Sequence, residues 1–391
     1  MIFIFFVGCT YSKGKVKPGD IQNIEIDVNM AGDSNLWNMI IDDIDFIKLE
    51  TNDSCVLDEI KKIVLVKDKI IILTWKGGIY IFEKTGKLVK EITNKGKGPF
   101  ELIRPMDMSI SGNGNLMVLA EGKIVEFDSS GNPLSEFFLE TQNGVISPIN
   151  LYWFSPESIY SWCTAIYTSK SENKFHLYKQ NNIGTVKAKF FPFQHFSYGV
   201  ASRFTQIGNN EIVITPPNLN DTISIIKDGL LSPRFCITIK QNRDRTKNPL
   251  TGLTNNDFQL PDQLNNYLSR YKIYSLSSNV VLNKTFLTFW LNTPGESYRC
   301  FYNTELNMAY VFNCFLKGEN ESVFYPGSIY CSLDNEFYSS KDAWKVRQLL
   351  GNGQTSSSFL PEKRRLKLLE KLKDVKDTDN PILMIIKTKD Q

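Results

Sequence analysis

Histidine is almost missing from this chain: His176 and His195 are the only two among 391 residues. A histidine-based metal cage or a histidine general base is therefore poorly supplied. No GxSxG elbow occurs, which excludes an α/β-hydrolase nucleophile. No GxxxxGK[ST] phosphate loop occurs either. Beyond Cys9 the cysteines are Cys55, Cys163, Cys236, Cys300, Cys314 and Cys331, and their spacing fits no CxxC or zinc pattern. They read as buried thiols acting as small hydrophobes, with Cys300 and Cys314 able to pair if their strands are neighbours. No stretch approaches the roughly 18 apolar residues of a membrane-spanning helix. Excess charge of one sign is absent too: 45 Lys and Arg stand against 42 Asp and Glu, net +3. That balance gives no reason to expect nucleic acid or an anionic membrane surface as partner.

What is present is strand-forming. Hydrophobic residues make up 42%, charged residues 22% and aromatics 12%, which suits a globular protein with a sizeable core and favours strands over helices. Ile63–Val66, Ile70–Trp75, Ile79–Glu83 and Leu88–Ile92 are four short strand candidates. Tight-turn pairs separate them: Lys67-Asp68, Gly77-Gly78 and Thr85-Gly86. Met106–Ile110, Leu116–Ala120, Ile124–Asp128 and Leu134–Leu139 repeat the plan. Ile79-Tyr-Ile-Phe-Glu-Lys-Thr-Gly-Lys aligns with Ile124-Val-Glu-Phe-Asp-Ser-Ser-Gly-Asn at an offset of 45 residues. Four strands per unit at such a period mark a propeller blade. Looser blocks begin at Ile146, Arg203, Ile273 and Ser322, making six. The expected fold is all-β: a six-bladed β-propeller of four-stranded antiparallel blades, with a short helix inserted in the last blade. Ile24–Val28 and Ile44–Leu49 precede the first block and are expected to lend a strand to the last blade, closing the ring and hiding its edges.

Two segments break the pattern. Asn255–Arg270, with Leu260, Leu264 and Leu268 four apart, predicts a short amphipathic helix. Pro361–Lys373, with Leu366, Leu368, Leu369 and Leu372 among lysines, predicts the helix of the last blade. Its basic face reads as solvated surface on a helix packed against the ring, with membrane or partner docking as the sharper alternative.

At the N-terminus Ile2–Val7 are wholly apolar and Gly8-Cys9 follow, which resembles the end of a lipoprotein signal peptide. No Lys or Arg precedes the run, and it is shorter than usual. Cys9 is the expected lipidation site. Residues 1–22 are expected to be signal remnant and tether, and residues 23–391 the propeller domain. A diacyl anchor would then be the only membrane link.

Three segments carry a wider resemblance. Gly96-Lys97-Gly98-Pro99-Phe100-Glu101 with Arg104-Pro105 is similar to a Gly-x-Gly-Pro-Gly-Glu-Phe linker between blades, with Phe-Glu in place of Gly-Glu. Asn220-Asp221-Thr222-Ile223 resembles an Asn-Asp-Thr-Ile-Tyr strand start, with Ser224 replacing Tyr. Asn380–Lys387 is similar to a closing strand. In this order they resemble the six-bladed β-propeller lipoproteins of gut and oral Bacteroidetes, from about Asn23 to Lys389. The resemblance implies this fold and an address in the cell envelope, periplasmic or at the outer membrane, and no particular activity.

The expected function is therefore binding or scaffolding, with a glycan, a peptide or another envelope protein as partner and no cofactor. Arg104, Trp153, Trp162, His195, Arg203 and Trp290 are the ligand-binding candidates, as aromatics and cations that a central funnel could gather. No residue set is assigned a catalytic role. The alternative is a calcium-dependent, lactonase-like hydrolase or lyase holding its ion in the channel. Calcium needs 6–8 oxygen ligands, and Asp107, Asp221 and Asp334 near strand starts are the candidates for it.

Overall fold

A computed structural model describes residues 21–32, 34–93, 95–138, 148–163, 175–192, 202–208, 211–217, 221–240, 261–271, 273–313 and 322–390. Six sheets form six blades of a β-propeller; in four of them the strands follow chain order from the axis outward, and in blades four and six an N-terminal strand is added at the outer edge. The innermost strands are Ile60–Val66, Asp107–Ile110, Pro148–Ser155, Phe204–Gly208, Ser275–Leu282 and Ser328–Leu333. Blade one continues with Lys69–Thr74, Ile79–Glu83 and Leu88–Ile92. The turn dipeptides seen in the sequence sit where expected. Lys67, Asp228 and Asp334 adopt positive φ in two-residue turns, as such hairpins require.

Each blade alternates direction, so its connections fall on two faces of the ring. One face, called here the turn face, carries the links from first to second and from third to fourth strand. The other, the loop face, carries the links from second to third strand and those between blades.

The two N-terminal strands have different fates. Ile41–Lys48 pairs antiparallel with Ile382–Thr388 as the outermost strand of blade six, from Ile41 opposite Thr388 to Lys48 opposite Ile382, and so closes the ring as expected. Gln22–Asp27 does not join that blade. It lies parallel to Leu230–Lys240 as a fifth strand of blade four. Ile24 and Ile26 are fully buried there, packed among Phe235, Ile237, Tyr302 and Val311. The alternation of isoleucines with Gln22, Asn23, Glu25 and Asp27 marks a one-sided strand, and a site between the outer edges of blades four and five suits it.

Blade six holds two helices rather than one, Ala343–Gly351 and Glu362–Leu372, between Glu336–Lys341 and Ile382–Thr388. The second matches the expected helix, and Pro361 stands just before it. The first carries Ala343, Val346 and Leu349 at three-residue spacing, and all three are buried. Its weak sequence signal comes from being only nine residues long. The helix expected over 255–270 is described as Pro261–Tyr271; the part before 261 lies outside the described residues.

The core is split into clusters between adjacent blades. Between blades one and two, for example, Val64, Ile71, Ile81, Met108, Val118 and Val125 are all buried together. The link between these two blades shows why its glycines are there. Glu101 folds back so that its carboxylate accepts from Gly98 N at 2.7 Å. A Cβ on Gly96 would fall 2.0 Å from that carboxylate. Phe100 stands where the resembling linkers carry glycine, and it holds a left-handed φ of +58° while donating its N–H to Glu136.

Candidate functional site

The axis is packed at the level of the strands, which changes where a ligand can meet the ring. The innermost strands of blades four and six touch each other past that of blade five. Val64, Met108, Ser109, Phe204 and Gln206 surround a residual cavity of about 10 Å³, near the least that can hold one water. The expected central funnel is, at this depth, a plug of side chains.

Polar groups tie that plug together. Lys62 on blade one reaches Asp107 on blade two, and Asp107 also accepts from Leu151 N on blade three at 2.8 Å. Asp107 thus brackets three inner strands, one hydrogen bond to each carboxylate oxygen. Asp334 lies on the turn face, whereas Asp107 begins an inner strand at the loop face. The Asp221 carbonyl accepts from Ile237 N. Among the described residues no three His, Cys, Asp or Glu side chains gather to hold a metal ion.

The candidates read from sequence are distributed rather than convergent. Trp153 is buried on the inner strand of blade three with its ring 4.6 Å from Phe137. Trp162 and Arg203 do meet. The Arg203 guanidinium lies over the fully buried Trp162 ring at 4.8 Å, His176 stacks on that ring 5.3 Å away and 15° from parallel, and Phe191 meets it tilted at 5.8 Å. Arg203 Nη1 donates to the Pro216 carbonyl at 2.5 Å. Burial opposes its charge and lowers its pKa to about 9, so it stays cationic at neutral pH. Burial, and then the Arg203 charge, push His176 down to about 4, against the carbonyl of Cys163 that faces its Nδ1 at 3.2 Å. This neutral-histidine, tryptophan, arginine stack locks blade three to blade four. Trp290 is half-buried under the Arg299 guanidinium at 5.0 Å, and Arg299 donates to the carbonyl of Gly327 at 2.7 Å. Cys9 and His195 lie outside the described residues.

Arg104 is different. It is exposed, on the loop face, in the link from blade one to blade two. Its neighbour Pro105 packs on Gly77, leaving no room for a side chain there. Two residues away from Gly77 stands Trp75, 51% exposed. Lys61 Nζ sits over the Trp75 ring at 5.1 Å and also donates to the Met106 carbonyl. Burial lowers the Lys61 pKa despite the nearby Asp107. Trp75 N is held by the Glu59 carbonyl at 3.0 Å, and Lys76 N faces Asp58. Blade one thus offers an aromatic plate whose backbone is hydrogen-bonded and whose ring carries a lysine over it, with Lys76 next to it in the chain and Arg104 exposed on the same face. Trp344, on the first helix of blade six, adds a second exposed tryptophan to the loop face.

Trp75 is one of four tryptophans that the sequence places in or next to strands, beside Trp153, Trp162 and Trp290. The signal that could have separated it was position: it ends a strand just before Lys76-Gly77-Gly78, where a turn leaves a side chain in water. A further cavity of about 270 Å³ lies on the ring's side, walled by Asp45, Lys48, Lys84, Thr85 and Lys371. Lys371 there is paired with Asp45.

Comparison with known proteins places this arrangement. Among solved structures, the crystal structure of a putative exported protein from Bacteroides fragilis superposes with a TM-score of 0.73 at 17% identity, covering 95% of this chain and 100% of that one. A protein of unknown function from Bacteroides caccae aligns with a TM-score of 0.37 at 12% identity, over 67% of this chain and 84% of that one. The first likeness shows the fold; the second is weak. No curated protein matches the chain. The model of one protein family matches residues 21–387, and this chain belongs to that family, described as a domain of unknown function, DUF4934.

Proposed function

We propose that this protein is a binding or scaffold lipoprotein of the cell envelope, tethered through Cys9 and engaging a glycan or peptide on the loop face around Trp75. The observation that carries the binding half is Trp75 itself: a large ring half in water, with Lys61 Nζ over it at 5.1 Å, on the face that also exposes Arg104. Such a ring costs little conformational entropy to order on binding, and aromatic and arginine side chains are the residue types that dominate binding energetics. The plugged axis supports a surface site over a deep channel site. The envelope half is supported by the Gly8-Cys9 pair and by the likeness in fold to the exported protein of Bacteroides fragilis. No described helix is long and apolar enough to cross a membrane.

Screening the purified protein against arrayed glycans and peptides tests the binding half. Trp75→Ala should weaken each hit about tenfold or more, the cost of losing a well-packed aromatic anchor, with an unchanged melting temperature. Hits that bind Trp75→Ala as tightly as the parent would move the site elsewhere. Palmitate labelling of cells expressing the parent and Cys9→Ala forms tests the anchor, with label expected on the parent alone.

A further inference from the structure

We infer that Arg104 receives a carboxylate of the ligand, so that the loop-face surface around Trp75 selects an acidic glycan carrying uronic acid; this deepens the binding reading above and rests on it.

The first observation is a residue type that its own backbone does not favour. Seven residues other than glycine hold a positive φ among those described. Lys67, Asp228, Asn307 and Asp334 stand in hairpin turns, where such a φ is ordinary. Phe100 and Phe191 each pack a ring against a core cluster, which offsets the cost. Arg104, with φ at +46°, has neither reason. It is exposed, and among the described residues its guanidinium donates no hydrogen bond and makes no ion pair. It also precedes Pro105, a position normally pushed to extended backbone. The flanking chain imposes the conformation: Glu121 N donates to the Ile103 carbonyl at 3.0 Å, and Met106 N to the Leu119 carbonyl at 2.7 Å. Glycine or asparagine would meet that backbone at lower cost. An arginine there destabilises the fold and gains nothing inside it. Strain of this kind is kept where it sets a functional group.

The second observation is position. A Cβ on Gly77 would fall 2.9 Å from Pro105 Cδ. Lys61, whose Nζ lies over the Trp75 ring, donates to the carbonyl of Met106. The Arg104–Met106 segment therefore touches both neighbours of the indole. Trp75 and Gly77 are at most about 7 Å apart along the chain, and Arg104 and Pro105 about 4 Å. Guanidinium and indole thus belong to one patch of surface.

The chemistry of the patch sets the ligand class. The planar guanidinium fork matches a planar carboxylate with two parallel hydrogen bonds. A peptide recognised through its main chain needs a free strand edge, and the backbone at Trp75 is already paired: Thr74 N bonds the Gly78 carbonyl at 2.9 Å, Trp75 N the Glu59 carbonyl at 3.0 Å and Gly77 N the Thr74 carbonyl at 3.0 Å. A pyranose ring needs no such edge. Its flat C–H face stacks on an indole, and in a uronic acid the carboxylate projects from the rim of that ring, where a flanking arginine meets it.

The test measures binding of the full chain to trisaccharides of galacturonate, glucuronate and mannuronate, and to the methyl ester of each, which keeps the sugar and removes the charge. The parent should bind at least one acid about tenfold more tightly than its ester, the effect of a charge-assisted hydrogen-bond pair. Arg104→Gly and Arg104→Asn should bind that acid as weakly as the ester, while melting at or above the parent's temperature because the strain is relieved. Trp75→Ala should lose acid and ester alike. Variants at 104 that keep the preference, or a parent that binds no uronate better than its ester, overturn the inference and leave the Trp75 surface standing. Arg104 variants that melt well below the parent would show that the side chain serves the fold, and overturn it too. Trp75→Ala binding acid and ester as tightly as the parent removes the site, and the inference with it.

Discussion

Lys62 Nζ and an Asp107 carboxylate oxygen meet at 2.9 Å across the seam between blades one and two, with side-chain exposures of 5% and 0%. The second Asp107 oxygen takes the Leu151 N–H of blade three. One carboxylate thus holds three inner strands in register. Removing one member of such a pair leaves the other charge buried without its partner, which costs about 3–5 kcal/mol. Asp107→Ala should fall in that range by urea unfolding. Lys62→Met combined with Asp107→Leu should cost less than the single alanine change, because no lone charge remains. A stability for Asp107→Ala within about 1 kcal/mol of the parent would show that the bracket contributes little.

The His176 stack predicts a pH dependence with a definite sign. Burial lowers the folded-state pKa from 6.5 to about 4. Between those values the unfolded chain binds a proton at this site that the folded chain does not. Stability therefore rises with pH through that window and is lost as the pH falls through it. Two and a half pH units correspond to at most about 3 kcal/mol. His176→Phe keeps a ring on Trp162 but cannot titrate. Its unfolding free energy should decline less than the parent's between pH 7 and pH 4.5. Parallel declines would mean that other groups set the acid limit.

Gly86 predicts a steric effect. It holds φ at +91°, and a Cβ there would stand 2.1 Å from the Lys48 carbonyl oxygen of blade six. The Gly86 carbonyl in turn accepts from Glu50 N at 2.8 Å. This third-to-fourth turn of blade one therefore seats against the strand that closes the ring. Gly86→Ala combines a disfavoured φ with a backbone collision, and about 2 kcal/mol or more should be lost in thermal or denaturant unfolding. Gly114 also has positive φ, at +79°, but meets nothing within 4 Å. Gly114→Ala should cost only the conformational part, about 1 kcal/mol.

These cases show which parts of the molecule could be read ahead of the structure. Blade one was legible because its strands are bounded by turn pairs rich in Gly and Asp, which favour tight turns, and because every strand has a buried residue. Ring closure by Ile41–Lys48 was legible for the same reason. The alternative fate of Gln22–Asp27 was not, because its isoleucines fit any one-sided edge, and the choice of blade four over blade six depends on Tyr302 and Val311 far along the chain. Site residues were harder still. Tryptophan and arginine types announce stacking, yet Trp162 with Arg203 and Trp290 with Arg299 spend it between strands, whereas Trp75 spends half of it on water. Composition is the same in each case; only burial separates them, and burial is a property of the whole ring.

The last prediction concerns the edge of blade six. Ile44 and Phe46 lie two residues apart, so their carbonyls share one edge of the closing strand. Arg364 Nη2 donates to Ile44 O at 2.7 Å and Arg364 Nε to Asp43 at 2.9 Å. Lys371, two helical turns on, donates to Phe46 O at 3.0 Å and to Asp45 at 2.6 Å. The basic face of the Glu362–Leu372 helix is thus applied to the outward carbonyls that a neighbouring chain would otherwise pair with. All four charged groups are partly in water, so solvent screening keeps the stability gain small. Arg364→Ala with Lys371→Ala should lower unfolding stability by only about 1 kcal/mol. The larger effect should be on association: an uncovered strand edge is a template for edge-to-edge pairing. Light scattering at increasing concentration should show the double variant forming oligomers that the parent does not. A variant that stays monomeric with unchanged stability would mean that the helix body, through buried Leu368 and Leu372, protects the edge without its charges.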